Sequence, residues 1–136
     1  MRCDGLGERP PGLRPVAELP NLTGNFESAV REAEAAGQPL AVLWTAGWCR
    51  KCTFLKPKVA RLQADPRLDG RVAWGYVDVN EVPRALVKDL AGVDNMPTFQ
   101  MWRSFQDGPA LSFECGMDGA QAVQRIEAVV LQALEP

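Results

Sequence analysis

The stretch PLAVLWTA, residues 39–46, constrains the fold more than any other part of the chain. Successive side chains of a strand point to opposite faces, so a run that is apolar at nearly every position has both faces to bury. A strand of that kind needs cover on both sides. It leads straight into GWCRKC, and residues 49–64 then place Leu55, Val59 and Leu62 along one side of a helix, with Pro57 as an expected kink. Two cysteines, Cys49 and Cys52, therefore stand where a buried strand hands over to a helix.

The other segments fit the same plan. NFESAVREAEAAG, residues 25–37, has Phe26, Ala29, Val30 and Ala33 at helical spacing, with Asn25 as cap and Gly37 as stop. RVAWGYVDV (71–79) reads as a strand, VPRALVKDLAG (82–92) as a helix between Pro83 and Gly92, and PTFQMWR (97–103) as a strand. A turn at QDGP separates it from ALSFECG (110–116), and AQAVQRIEAVVLQAL (120–134) closes the chain as an amphipathic helix. Helical crossovers imply parallel strands and the short turn an antiparallel hairpin, so the fold class is α/β, a central mixed sheet flanked by helices on both faces. Residues 1–21 carry Pro10, Pro11, Pro15 and Pro20 with three glycines and read as a flexible arm, leaving 22–136 as the domain.

Composition narrows the function classes. A chain of 136 residues can bury one core, and 46% hydrophobic with 24% charged residues is ordinary for a globular domain. A net charge of -2 gives no overall argument for nucleic acid, and the longest apolar runs fall well short of the roughly 20 residues of a membrane span. A monomer is expected. The start, MRCDGLGERPPG, has neither the apolar core of a secretory signal nor the Ser-rich amphipathic character of a transit peptide.

Cys3, Cys49, Cys52 and Cys115 are too few and too scattered for a disulfide-stapled scaffold. A zinc site is disfavoured too, since the chain has no His and no second CxxC. Any metal or cluster bound by Cys49 and Cys52 would need the same pair from a second chain. Otherwise no cofactor is called for, because a cysteine pair carries two electrons as its own disulfide.

Trp48, Cys49 and Cys52 in WCRKC, Pro57 five residues beyond, and Met96, Pro97 and Thr98 in MPT are the positions through which the sequence resembles the thioredoxin family from about residue 25 to the end. More narrowly, WCRKC, LKPK, YVDVNEVPRALVK and MPTFQMW resemble the WCRKC-type thioredoxin-like proteins of plant and algal plastids. The resemblance implies a thioredoxin fold, a cis bond before Pro97 facing the cysteines, and thiol-disulfide exchange with protein substrates. It also implies a chloroplast stromal location, oxidation of thiol-regulated enzymes, and a peroxiredoxin as electron acceptor; without it the default location is cytoplasmic.

At a helix N-terminus Cys49 is the expected nucleophile, since unpaired N–H groups and the helix dipole favour its thiolate, and Cys52, one turn inside, is the expected resolving thiol. Trp48 is expected to form contact surface, and Trp44, Trp74 and Trp102 to pack. Arg50, Lys51, Lys56, Lys58 and Arg61 occur with no acid between residues 49 and 64. Cations beside the pair favour the reduced form, which makes the disulfide more oxidising; the competing reading is that they point into water and are screened.

One departure stands out. Thioredoxins carry a buried carboxylate in the strand before the motif, and ungapped counting puts Leu43 at that position. Leu43 moves no proton, so Cys52 needs water or another base, which again leans toward an oxidant or specialised exchanger. The same departure leaves open a non-catalytic thioredoxin-fold binding module held in a larger assembly. Cys115 reads as a buried inert thiol and Cys3 as incidental or a source of intermolecular disulfides. Asp78 and Asn80 read as a cap or turn with no chemistry assigned.

Overall fold

The computed structural model describes residues 18–116 and 118–135; Cys3 and most of the proline- and glycine-rich stretch lie outside them. The elements run α1 (Phe26–Ala35), β1 (Leu40–Thr45), α2 (Arg50–Gln63), β2 (Ala73–Asp78), a 3-10 turn (Val79–Glu81), a π-helical segment (Ala85–Leu90), β3 (Thr98–Ser104), β4 (Gly108–Glu114) and α3 (Gly119–Ala133). The sheet order is β2-β1-β3-β4. β1 pairs parallel with β2, Leu40 opposite Ala73, and antiparallel with β3, Leu40 opposite Trp102. β3 and β4 form an antiparallel hairpin.

All six residues of β1 are buried, and their alternation divides the core. Leu40, Val42 and Trp44 join Phe26, Val30 and Ala33 of α1 on one face, with Val87, Ala91 and Trp102. Ala41 and Leu43 join Leu55, Val59 and Leu62 of α2 and Ala122, Ile126 and Val130 of α3 on the other. The apolar run is therefore covered by helices on both sides, and β1 brings the motif out from the centre of the sheet.

A buried amide organises the α1 face. Gln100 Oε1 accepts the indole N–H of both Trp44 and Trp102, each at 2.8 Å, while its Nε2 donates to the Ala91 carbonyl at 2.7 Å and Ser112 Oγ at 3.1 Å. Every polar atom of the side chain is thus satisfied, as a fully buried amide requires. Phe26 packs edge-on to Trp102 with ring centroids 5.0 Å apart.

Three details differ from expectation. The segment 82–92 forms a π-helical turn over Ala85–Leu90 rather than an α-helix; the Ala91 N–H reaches back to the Leu86 carbonyl and Val93 to Val87. Asn25 occupies the N-cap of α1 without a side-chain hydrogen bond. Finally, residues 18–21, read as part of the arm, lie along the free edge of β2. Tyr76 donates its N–H to the Pro20 carbonyl at 2.9 Å, Leu22 donates to the Tyr76 carbonyl at 2.8 Å, and Leu19 is buried. Gly75 makes this approach feasible, since a Cβ there would lie 2.3 Å from a Leu22 methyl.

Candidate active site

The sulfur of Cys49 sits at the N-cap of α2. The backbone N–H of Cys52 donates to it at 3.3 Å, and its own S–H points at the Met96 carbonyl, 3.9 Å away. A cap side chain normally supplies an oxygen to the first free N–H groups of a helix; here a sulfur does so, which places it at the positive end of the dipole. Cys49 and Cys52 are both free thiols. Both are buried, Cys52 more deeply at 1% exposure against 6%, and they form a small cluster with Ala46, Val79 and Met96.

Burial, reinforced by Cys49 beside it, pushes the Cys52 thiol up to about 12, against which the Ala46 backbone and the Lys56 charge pull downward. The Met96–Pro97 peptide bond is cis. Pro97 is buried at the start of β3, and its carbonyl accepts the N–H of Cys115 at 3.0 Å. Thr98 is buried and pairs across the sheet with Trp44, its hydroxyl bonded to the Asn95 carbonyl. Trp48, Cys49, Cys52, Met96, Pro97 and Thr98 are thus gathered at one end of the sheet, where β1 ends and β3 begins.

Trp48 is 72% exposed and Phe54 66%, the two large apolar side chains left in solvent among the described residues. Arg50 and Lys51 are exposed on the first turn of α2. A groove of about 260 Å³ is lined by Lys51 and Phe54 of α2, Pro97, Cys115 and Gly119. Cys115 lies just past the end of β4, buried, and burial pushes its thiol up to about 12 despite the charge of Arg125. Trp44, Trp74 and Trp102 are buried in the sheet.

Sequence reasoning passed over Phe54, whose signal was a large apolar residue off the Leu55, Val59, Leu62 stripe of its helix. It also gave no contact to Lys56, whose ammonium lies 4.2 Å from the centre of the Tyr76 ring. Asp78 is where a turn-forming role was read: its Oδ1 accepts the N–H of Asn80 at 2.9 Å. Leu43 is fully buried on the α2 face, so the core at that position is hydrocarbon. Among the described residues no group of three or more metal-ligating side chains is gathered.

Comparison with known proteins agrees with this architecture. The sequence is 44% identical over 84 residues to "Thioredoxin-like 3-2, chloroplastic" of Arabidopsis thaliana, covering 60% of this chain and 41% of that protein. It is 40% identical over 83 residues to "Thioredoxin-like 3-1, chloroplastic" of the same plant, covering 61% of this chain and 38% of that protein. The matched part thus spans about two fifths of each of these relatives. In fold, the chain is similar to oxidised thioredoxin O2 of Arabidopsis thaliana, with a TM-score of 0.64, 23% identity and coverage of 85% of this chain and 94% of that one. With a match to the Thioredoxin family over residues 19–129, the chain belongs to the thioredoxin family.

Proposed function

We infer that the protein is a thiol-disulfide oxidoreductase that exchanges disulfides with protein substrates, Cys49 being the nucleophile and Cys52 the resolving thiol. The observation that carries this reading is the placement of the Cys49 sulfur at the cap of α2, hydrogen-bonded by the Cys52 N–H, with Cys52 buried one turn deeper. In the reducing direction the Cys49 thiolate attacks a substrate disulfide and one substrate sulfur leaves as a thiolate. Cys52, deprotonated, then attacks the Cys49 sulfur, forming the Cys49–Cys52 disulfide and releasing the second substrate thiolate. Both electrons pass to the substrate, and each step reverses when the poise is reversed.

The exposed faces of Trp48 and Phe54, with Pro97 at the groove, support a docking surface for a protein chain rather than a small molecule. Arg50 and Lys51 support a potential above that of an ordinary thioredoxin, because the reduced pair carries more negative charge than the disulfide. About 1.4 kcal/mol of such preference is worth about 30 mV. The chain therefore acts as an oxidant of thiol-regulated enzymes, with a peroxiredoxin as a suitable acceptor for the electrons. Its likeness to two chloroplastic proteins supports work in the plastid stroma.

The test is a Cys52→Ser variant incubated with disulfide-bearing protein substrates. Mixed disulfides through Cys49 should accumulate, and a Cys49→Ser, Cys52→Ser double variant should fail to replace the protein in cells. Full replacement by the double variant would mean that the fold serves only as a binding module.

A further inference from the structure

The resolving thiol has a proton to lose, and among the described residues no carboxylate is buried in the core to take it. Leu43 belongs to the hydrocarbon core with Leu55, Val59 and Phe99, while Cys52 clusters with Ala46 and Cys49. On another side lies a cavity of about 190 Å³ whose walls include Cys52, Thr45, Lys56, Tyr76, Asp78 and Glu81. Its lining is mostly polar, and it is large enough to hold water.

Each wall has a chemical identity. Lys56 is four residues beyond Cys52 on α2, which puts both on one face of the helix. Its ammonium is held 4.2 Å from the Tyr76 ring centre on β2, so the charge stays at the cavity instead of swinging into bulk solvent. Lys56 acts on Cys52 in the direction of the thiolate, against burial and against Cys49. At the end of β2, Asp78 spends Oδ1 on the Asn80 N–H, while Oδ2 faces the loop that leads into the motif: a Cβ on Gly47 would lie 3.5 Å from it. Glu81, in the 3-10 turn, is the second carboxylate on the rim and is exposed. Thr45 spends its hydroxyl hydrogen on the Val77 carbonyl at 3.2 Å and leaves its oxygen as an acceptor.

We propose that this cavity is the proton exit of Cys52: Lys56, braced on Tyr76, is the positioning cation for the forming thiolate, and Asp78 accepts the proton through water. The proposal rests on the exchange reading above and supplies the step that Leu43 leaves unserved. In the mixed disulfide, the Cys52 S–H gives its proton to cavity water and on to Asp78. The Cys52 thiolate attacks Cys49, the Cys49–Cys52 bond forms, the Cys49–substrate bond breaks, and the substrate leaves as a thiolate. Asp78 returns its proton to solvent, and the two electrons lost by the cysteine pair reside on the substrate.

The probe is 5,5′-dithiobis(2-nitrobenzoate) mixed in a single turnover with reduced protein in which Cys3 and Cys115 are replaced by Ser, the background for every variant. The first thiolate released reports attack by Cys49 and the second reports resolution by Cys52. Lys56→Gln and Asp78→Asn should each slow the second phase about tenfold or more at neutral pH and shift its rise to higher pH, leaving the first phase unchanged. Lys56→Arg should restore most of the rate. Asp78→Asn retains a side-chain oxygen to accept the Asn80 N–H, and the thermal midpoint of each variant registers any structural loss. A second phase at the wild-type rate across the pH range in both variants overturns the proposal, and in one variant removes that residue from it. Absence of the first phase in the wild-type protein overturns the exchange reading itself.

Discussion

The backbone N–H of Cys52 points at the sulfur of Cys49, 3.3 Å away, so the two cysteines of the motif are chemically unequal before any substrate arrives. Cys49 has a donor and the helix end, whereas Cys52 has burial. Iodoacetamide should therefore modify Cys49 at least about tenfold faster than Cys52 in the folded, reduced protein, with mass mapping as the readout. Equal rates would contradict the asymmetry.

The thiols of Cys52 and Cys115 are both pushed up to about 12 from 9.0, chiefly by burial. In the unfolded chain they ionise first, so the unfolded state binds fewer protons at alkaline pH and the stability of the reduced protein falls as pH rises from 9.0 toward about 12. Each thiol contributes up to about 1.4 kcal/mol per pH unit in that window and nothing to the slope below it. Urea titrations at increasing pH should show the decline, and Cys115→Ala should make it shallower without changing the slope near neutrality.

Gln100 is the acceptor for two buried indole N–H groups. Replacing it with Leu strands both, at a cost of about 2–4 kcal/mol, readable as a lowered denaturation midpoint with an unchanged m-value. A loss below about 0.5 kcal/mol would mean that water or relaxation satisfies the two tryptophans.

Trp48 contributes little to the core at 72% exposure, so its role is outward. Trp48→Ala should leave the thermal midpoint within about 1–2 °C of wild type and lower kcat/KM for protein disulfides several-fold, with small disulfides less affected. Equal losses for both substrate types would place Trp48 in the redox chemistry itself.

Much of this arrangement is legible in the sequence because it depends on local patterns. The apolar run of β1 forces cover on both faces, and Cys49 lands at a helix cap because a helical stripe starts immediately after it. What escapes depends on partners distant along the chain. Residues 18–21 look like a loose proline-rich stretch until Gly75, more than fifty positions later, offers a strand edge with no side chain in the way. Gln100 reads as a polar residue in a strand, and only the register of β3 against β1 brings Trp44 to it. The π-helical turn likewise follows from hydrogen bonds to Leu86 and Val87 that periodicity does not specify. Lys56 reads as one of five solvated cations, and the cavity that gives it a task needs β2 and α2 side by side.

The most direct test is an equilibrium redox titration of the Cys49 and Cys52 pair, with Cys3 and Cys115 replaced by Ser so that no other thiol contributes. A single two-electron transition with a midpoint above about -270 mV is predicted, falling toward that value when Arg50 and Lys51 are replaced by neutral residues. A midpoint at or below about -270 mV would contradict the oxidising role, and the absence of any transition would contradict the exchange function altogether.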